Sequence, residues 1–259
     1  MVQGMKILLT NDDGIYSKGI EVLYEHLSRD HEVQVVAPEI ERSAVGHAIT
    51  LTDPLLVKPV DRNGAFFGYG VKGTPADCVK LAINEVMEKQ PDLVVSGINL
   101  GANVGINVIY SGTVSAATEG AILGVPAIAV SINTFRNPDF EPAARFARFL
   151  AGQVNEYGLP PHTSLNVNVP AIPENEIKGV RVTRQGVTRF VESFERRVDP
   201  RENVYYWQCG STPPLQEEDD TDACAVANGY ISITPIHHDL TNYDFMESLR
   251  RWSFSEISD

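Results

Sequence analysis

Apolar and polar positions along the chain predict alternating strands and helices as far as Pro170, and a different pattern beyond it. Residues 5–10 form a short continuous apolar run, as expected of a strand covered on both faces. Ile20, Leu23, Tyr24 and Leu27 then recur at helical spacing to about Ser28, and residues 32–37 return to a strand that Pro38 stops. A strand–helix–strand opening of this kind implies a right-handed crossover and a parallel sheet. Residues 50–57 and 65–69 flank Asp61-Arg-Asn-Gly64, whose Asn-Gly pair signals a hairpin. Thr74, with Pro75 behind it and Asp77 three residues on, starts a helix expected to reach about Lys89. A buried strand at 92–96, a loop from Gly97 to Gly112, a small-residue helix at 113–123, a strand at 125–130, a helix from Glu141 to about Val154 and a strand at 165–169 complete this part.

After Pro170, residues 180–184 and 203–207 alternate like exposed strands, with Arg196–Arg201 between them. Glu217–Asp220 reads as a solvated acidic loop. Thr221 or Asp222 would cap a short helix ended by Gly229, residues 230–234 a strand, and Thr241 would cap a last helix carrying Phe245, Leu249 and Trp252. Apolar periodicity here is too sparse for a second core. The expected fold class is therefore α/β: a Rossmann-like, mostly parallel sheet with helices on both faces, plus a C-terminal hairpin and helix extension. Residues 1–170 form the core, and residues 171–259 an extension, not an independent domain, that serves oligomerisation. Alternating strands with open edges pair readily with another subunit.

Chemistry concentrates in loops that follow strands, where an open α/β sheet binds its ligands. Asn11-Asp12-Asp13-Gly14 follows the first strand. Asn, Asp and Gly suit a plain turn, but a turn relaxed by Gly14 also lets two neighbouring carboxylates converge on one hard cation, Mg²⁺, Mn²⁺ or Ca²⁺. Gly97, Gly101 and Gly105 interleave with Asn99, Asn103 and Asn107, which gives close backbone approach and neutral oxygen donors. Ser111-Gly112-Thr113 opens a helix whose N-terminus could seat a phosphate or be an ordinary cap. Ser43 lacks the G-x-S-x-G elbow and identifiable partners of a nucleophile. His47 and His237-His238 read as surface or interface residues, and Gly68-Tyr-Gly-Val-Lys-Gly73 as a tight turn, since it follows a hairpin strand.

Charge narrows the ligand. The 259 residues carry 21 Lys+Arg against 34 Asp+Glu, a net −13, which opposes binding of a nucleic-acid polymer. A small anion remains possible where a cation or helix N-terminus supplies positive charge. Three scattered cysteines without C-x-x-C read as reduced. No apolar run is long enough to span a bilayer, and the start, with Met5 a candidate initiator, lacks the pattern of a signal peptide. A cytoplasmic location, with no membrane contact, is expected.

Four dispersed motifs occur in order: Met5-Lys-Ile-Leu-Leu-Thr-Asn-Asp-Asp-Gly14, Gly73-Thr-Pro-Ala-Asp-Cys78, Ser96-Gly-Ile-Asn-x-Gly-x-Asn-x-Gly105 and Tyr110-Ser-Gly-Thr-Val114. Together with Asp239-Leu-Thr-Asn-Tyr243, they resemble the SurE (survival protein) nucleotidases from Met5 to Trp252. That resemblance implies a Rossmann-like core with a swapped C-terminal extension, a homodimer or homotetramer, and metal-dependent hydrolysis of nucleoside 5′-monophosphates, with 3′-nucleotides and short polyphosphate as further substrates. It implies one divalent metal ion on Asp12, Asp13, Ser43 and Asn99, and phosphate binding by Asn11, Ser111, Gly112 and Thr113. Asp12 and Asp13 would be catalytic. Ser43 is followed by Ala44 where many relatives carry Gly, a departure that bears on loop shape and base preference. Two other readings fit the same residues: a non-catalytic nucleotide-binding regulator and a phosphatase for a non-nucleotide monoester.

Overall fold

The computed structural model describes residues 4–211 and 217–252. Its main sheet has nine strands in the order β3-β4-β2-β1-β5-β6-β7-β11-β8. The strands are β1 (Lys6–Thr10), β2 (Glu32–Pro38), β3 (Val57–Arg62), β4 (Ala65–Val71), β5 (Leu93–Leu100), β6 (Ala127–Ile132), β7 (Thr163–Val169), β8 (Val180–Val182) and β11 (Ile231–His237). From β4 to β7 neighbouring strands run parallel; β3 and β11 join antiparallel, and β8 is parallel to β11. The α/β, Rossmann-like reading is correct. The sheet extends away from β1 in both directions, to β2 on one side and β5 on the other. Ligands bind at such a switch point, beyond the C-terminal strand ends.

The sheet is buried because its strands are. Ile7, Leu8 and Leu9 of β1 have no exposed surface, and Leu8 faces one apolar cluster while its two neighbours face the other. Burying each such side chain is worth about 1.5–3 kcal/mol. On one face, α1 (Lys18–Leu27) presents Ile20, Leu23 and Leu27 and packs beside α4 (Glu141–Tyr157). His26 Nε2 lies 3.0 Å from Glu141 Oε2 and ties the two helices together. On the other face sit α2 (Pro75–Leu81) and α3 (Gly112–Ile122). The α3 residues Ala116, Ala117, Gly120 and Ala121 are buried, so the helix is enclosed on nearly every side. At Gly120 a β-carbon would lie 2.8 Å from Val94 Cγ2, so the small side chains set this close approach.

Several boundaries differ from expectation. The hairpin turn at Asn63-Gly64 is present, but its first arm is β3, beginning at Val57, and not residues 50–57. Thr50 instead donates from its hydroxyl to Asp77 Oδ2 (2.6 Å), reinforcing the capping box between Thr74 and Asp77. The helix after Thr74 keeps α-helical geometry only to Leu81, and a π-turn over Ala82–Val86 follows. The loop expected from Gly97 is in its first part strand, since β5 continues to Leu100.

Beyond Pro170, residues 180–182 complete the main sheet, and the exposed hairpin pairs β9 (Val191–Val198) with β10 (Val204–Ser211). The sequence reading missed β9 because Val-Glu-Ser-Phe-Glu-Arg-Arg-Val has no regular apolar alternation and is exposed along its whole length. Helix α5 (Asp222–Ala227) starts after Thr221 and ends before Gly229, whose φ is +81°. The acidic run before it is not merely solvated: Arg184 reaches Glu218 (2.6 Å) and Asp220 (2.9 Å). Asn242, not Thr241, caps α6 (Tyr243–Leu249), by accepting from the Phe245 N–H at 2.9 Å. Trp252 lies past the end of that helix, its ring edge-on to Phe245. Among the described residues no helix is long and apolar enough to cross a membrane.

Candidate functional site

The ends of β1 and β5, the loop after β2 and the start of α3 surround a cleft of about 260 Å³. Asp12, Ser43, Asn99 and Ser111 all line it, although they lie far apart in the chain. Thus four of the eight expected site residues meet around one space.

Asn11 shapes the turn that follows β1. Its amide nitrogen donates to Gly14 O (3.0 Å) and Ser17 Oγ (2.8 Å), while its Oδ1 accepts from the Gly14 N–H (3.2 Å). Gly14 has a φ of +94°, a conformation that glycine adopts without steric cost. Asn11 is wholly buried, so the structure places it beneath the cleft and not in it. The turn sends the two carboxylates onward. Asp12 is 4% exposed, its Oδ1 accepts a short hydrogen bond from the Thr113 hydroxyl, and its carbonyl accepts from the Arg42 N–H at 2.7 Å. Thr113 is itself fully buried, so it supports Asp12 and has no surface in the cleft.

Burial raises the Asp12 carboxyl above the ordinary carboxylate range, against the opposing hydrogen bonds from Thr113. Asp13 is pushed up to about 7, first by burial and then by the charge of Asp12, with the Leu100 N–H acting in the opposite direction. Glu41 adds to both. These shifts describe carboxyls held out of water, with other negative groups beside them, and no Lys or Arg lines the cleft among the described residues. Sequence reasoning passed over Glu41; its only signal was an acidic residue two positions before Ser43.

The β5 bulge delivers Asn99. Between Ser96 and Asn99, β5 advances three residues while β6 advances two, from Ala129 to Ser131. The extra residue is accommodated at Gly97, with φ +146°, where a β-carbon would come 2.5 Å from Val130 O. Bulges re-aim side chains in this way. The Asn99 amide nitrogen donates to Leu100 O (3.2 Å) and Gly101 O (2.7 Å), which fixes the group and leaves Oδ1 as the free acceptor on a cleft-lining side chain. The Ser43 hydroxyl donates to Glu41 Oε1 (2.6 Å), so its lone pairs remain available.

This donor set fits a hard divalent cation: the buried Asp12 carboxylate with the half-buried Asp13 next to it in the chain, both of raised pKa, an amide oxygen and a hydroxyl oxygen, all oxygen and no sulfur. No group of three or more His, Cys, Asp and Glu side chains with metal-site geometry occurs among the described residues, so any ion here would draw on neutral oxygens as well.

Helix α3 begins one residue earlier than expected, at Gly112, with Ser111 as its N-cap. Ser111 Oγ accepts from the Val114 N–H at 3.1 Å, leaving the hydroxyl proton free to donate. Gly112 lets the helix approach the carboxylate, since a β-carbon there would lie 2.8 Å from Asp12 Cβ. On the far wall stand Gly101, Ala102, Asn103, Asn107 and Tyr110, and Phe135 reaches in from the loop after β6. Tyr110 (57% exposed) and Phe135 (80% exposed) are aromatic groups that the sequence reading did not single out. For Phe135 the available signal was a large aromatic in an otherwise polar post-strand loop.

His47 is exposed, in keeping with the surface role expected of it, and it also makes a specific contact. Its Nε2 lies 2.7 Å from Glu119 Oε2, and Lys80 Nζ lies 2.9 Å from Glu119 Oε1. Glu119 is almost completely buried on α3, and these two partners hold its carboxyl below the ordinary range despite that burial. The loop carrying Ser43 is thereby tied to the helix carrying Ser111. His237 and His238 form no metal site: Asp239 N–H donates to His237 Nδ1 (3.1 Å), and His238 packs edge-on against His162.

Known proteins resemble this chain in sequence, and a solved structure resembles it in fold. A protein named 5′-nucleotidase SurE from Syntrophobacter fumaroxidans is 58% identical over 96% of this chain and 100% of its own length. Another of that name, from Syntrophus aciditrophicus, is 59% identical over 98% of this chain and 96% of its own. The crystal structure of a SurE protein from Aquifex aeolicus superposes with a TM-score of 0.83 at 45% identity, covering 95% of this chain and 98% of that one. With residues 7–192 also matching the family described as survival protein SurE, the chain belongs to the SurE family.

Proposed function

We propose that this protein is a metal-dependent phosphomonoester hydrolase that removes phosphate from nucleoside 5′-monophosphates. The observation that carries the reading is the convergence of Asp12, Ser43, Asn99 and Ser111 on one cleft at the sheet's switch point. The names of its relatives agree. Asp12, Asp13, Ser43 and Asn99 would hold one divalent ion, Mg²⁺ or Mn²⁺ first, with Ca²⁺ a possible occupant. When bound, such an ion supplies charge neutralisation at the phosphoryl group and lowers the pKa of a coordinated water.

The chain's own groups do the rest. Thr113 holds the Asp12 carboxylate in place through its hydroxyl. The Ser111 hydroxyl, already accepting from the Val114 N–H, donates a hydrogen bond to a phosphoryl oxygen, and the start of α3 at Gly112 adds the positive end of the helix dipole. Asn11 contributes by shaping the turn. Tyr110 and Phe135 offer flat apolar faces on which any of the common bases can stack, a base-tolerant contact. Residues 171–259 act as an extension of the core that also joins subunits, through the fully exposed β9–β10 ribbon, in a homodimer or homotetramer. The three free cysteines accord with a cytoplasmic location.

Phosphate release from AMP, with and without Mn²⁺ or Mg²⁺, tests the proposal. Asp12→Asn and Asp13→Asn should each abolish turnover while leaving the circular dichroism spectrum intact. Full activity in either variant, or in excess EDTA, refutes it.

A further inference from the structure

We propose that Asp222 is a positioning residue that holds the substrate wall of the cleft from the far end of the chain. It sits at the first residue of α5, where the sequence suggested a helix cap, yet it is wholly buried and its strongest long-range partner lies elsewhere. One carboxylate oxygen, Oδ2, accepts the N–H of Gly105 at 2.9 Å. The other, Oδ1, accepts the N–H groups of Gly186 (2.9 Å) and Ala223 (2.8 Å). Two further bonds join the same segments: Gln185 Nε2 donates to Gly105 O (2.8 Å), and the Ile106 N–H donates to Thr188 O (2.9 Å). Gly105 has a φ of +58°, and a β-carbon there would collide with the Thr188 carbonyl, so the seam closes only around glycine.

The seam lies directly behind residues that face the cleft. Gly101, Ala102, Asn103, Asn107 and Tyr110 belong to the loop that it grips. That loop is held at several points, among them the Gly101 N–H on Ile132 O (2.9 Å) and Tyr110 O, which accepts from the Gly46 N–H (3.0 Å). Its Asn103 end is held by the sheet, where the Asn103 N–H donates to Asn168 Oδ1 (2.7 Å) and its amide nitrogen to Ser131 Oγ (2.9 Å). Its Gly105–Ile106 end depends on Asp222 and residues 185–188 alone among the partners described above. By contrast, Asp12, Asp13, Ser43 and Asn99 all lie outside the gripped segment. Loosening the seam should therefore weaken substrate contact and leave metal binding as it was. This inference rests on the nucleotidase reading for its substrate readout.

Asp222→Asn isolates the link. The amide keeps one oxygen for Gly186 and Ala223 and turns an NH₂ group towards the Gly105 N–H, so donor meets donor. The KM for AMP should rise about tenfold, the low end of what one hydrogen bond to a charged group is worth. The Mn²⁺ concentration giving half-maximal thermal stabilisation should stay within about twofold of the parent. Amide hydrogen exchange should accelerate over residues 101–110 and not over 163–169. Gln185→Ala, a change at the exposed edge of the seam, should move KM and exchange in the same direction by less, and it carries the test should Asp222→Asn not fold. Unchanged exchange and KM in a folded variant would overturn the proposal, as would a matching rise in the Mn²⁺ requirement. If the parent protein releases no phosphate from AMP, the nucleotidase reading fails, while exchange over 101–110 still decides whether the seam exists.

Discussion

Gly112→Ala places one methyl group between the two elements that meet at the site. Its β-carbon would stand 2.8 Å from Asp12 Cβ, 3.0 Å from Asp12 Oδ2 and 3.2 Å from Pro75 Cγ. Carbon atoms prefer separations of roughly 3.5–4.0 Å, so Asp12 and the start of α3 must part by about 1 Å. α3 cannot easily retreat, because its other faces are packed with buried small residues. Asp12 must then move, and the Thr113–Asp12 hydrogen bond stretches or breaks. Overpacking costs about 1–3 kcal/mol, and replacing glycine in a helix returns up to about 1 kcal/mol. The net loss of stability is thus about 3 kcal/mol or less. Function should fall as well, since displacing a reacting group by about 1 Å costs on the order of 10²-fold in rate. Steady-state AMP hydrolysis in saturating Mn²⁺, alongside a thermal melt, measures both. A kcat/KM within twofold of the parent, in a protein that melts normally, would refute the close-approach argument.

Thr113→Val removes the hydroxyl at nearly constant volume and should lower kcat about tenfold, the worth of one hydrogen bond to a charged group; Thr113→Ser should restore most of it, and equal kcat in all three proteins would contradict the support role. Because the folded-state pKa of Asp13 is raised to about 7, its contribution to stability is present below the unfolded value near 4 and is lost as pH rises through 7. EDTA-treated protein should therefore melt at a falling temperature between pH 5 and 7.5, and Asp13→Asn should flatten that slope. Added Mn²⁺ should raise the melting temperature more at pH 8 than at pH 5, because it meets ionised carboxylates there. Glu119→Gln should cost about 2 kcal/mol of stability through its two charge-assisted bonds and raise the Mn²⁺ concentration needed for half-maximal activity, since the Ser43 loop loses its tether to α3.

The fold was legible where burial imposes a pattern. β1 and β2 are apolar because they are covered, α1 repeats its apolar positions at helical spacing, and Thr74 and Asp77 announce a helix start by chemistry that is wholly local. Asp12 and Asn99 were legible for a related reason, as polar residues at strand ends. What could not be read was non-local or inverted in sign. β9 exposes all eight of its residues, so no apolar face marks it. The bulge at Gly97 exists because of how β5 meets β6, which residues 96–99 alone do not express. Asn11 and Thr113 have the chemistry of phosphate ligands, and only three-dimensional contacts reveal that Asn11 also holds the turn and Thr113 the Asp12 carboxylate. His47 gave no hint of Glu119, which is 72 residues away.

That no lysine or arginine lines the cleft among the described residues also bears on how fast a substrate arrives. A positive funnel speeds the arrival of phosphorylated molecules, and salt slows such enzymes by screening it. Here an anion approaches a molecule of net charge −13 and a mouth that holds Asp12 and has Glu41 beside it. The long-range force on the encounter is repulsive, so moderate salt should quicken association, and the ionic-strength dependence of kcat/KM should slope upward where a steered enzyme's would fall.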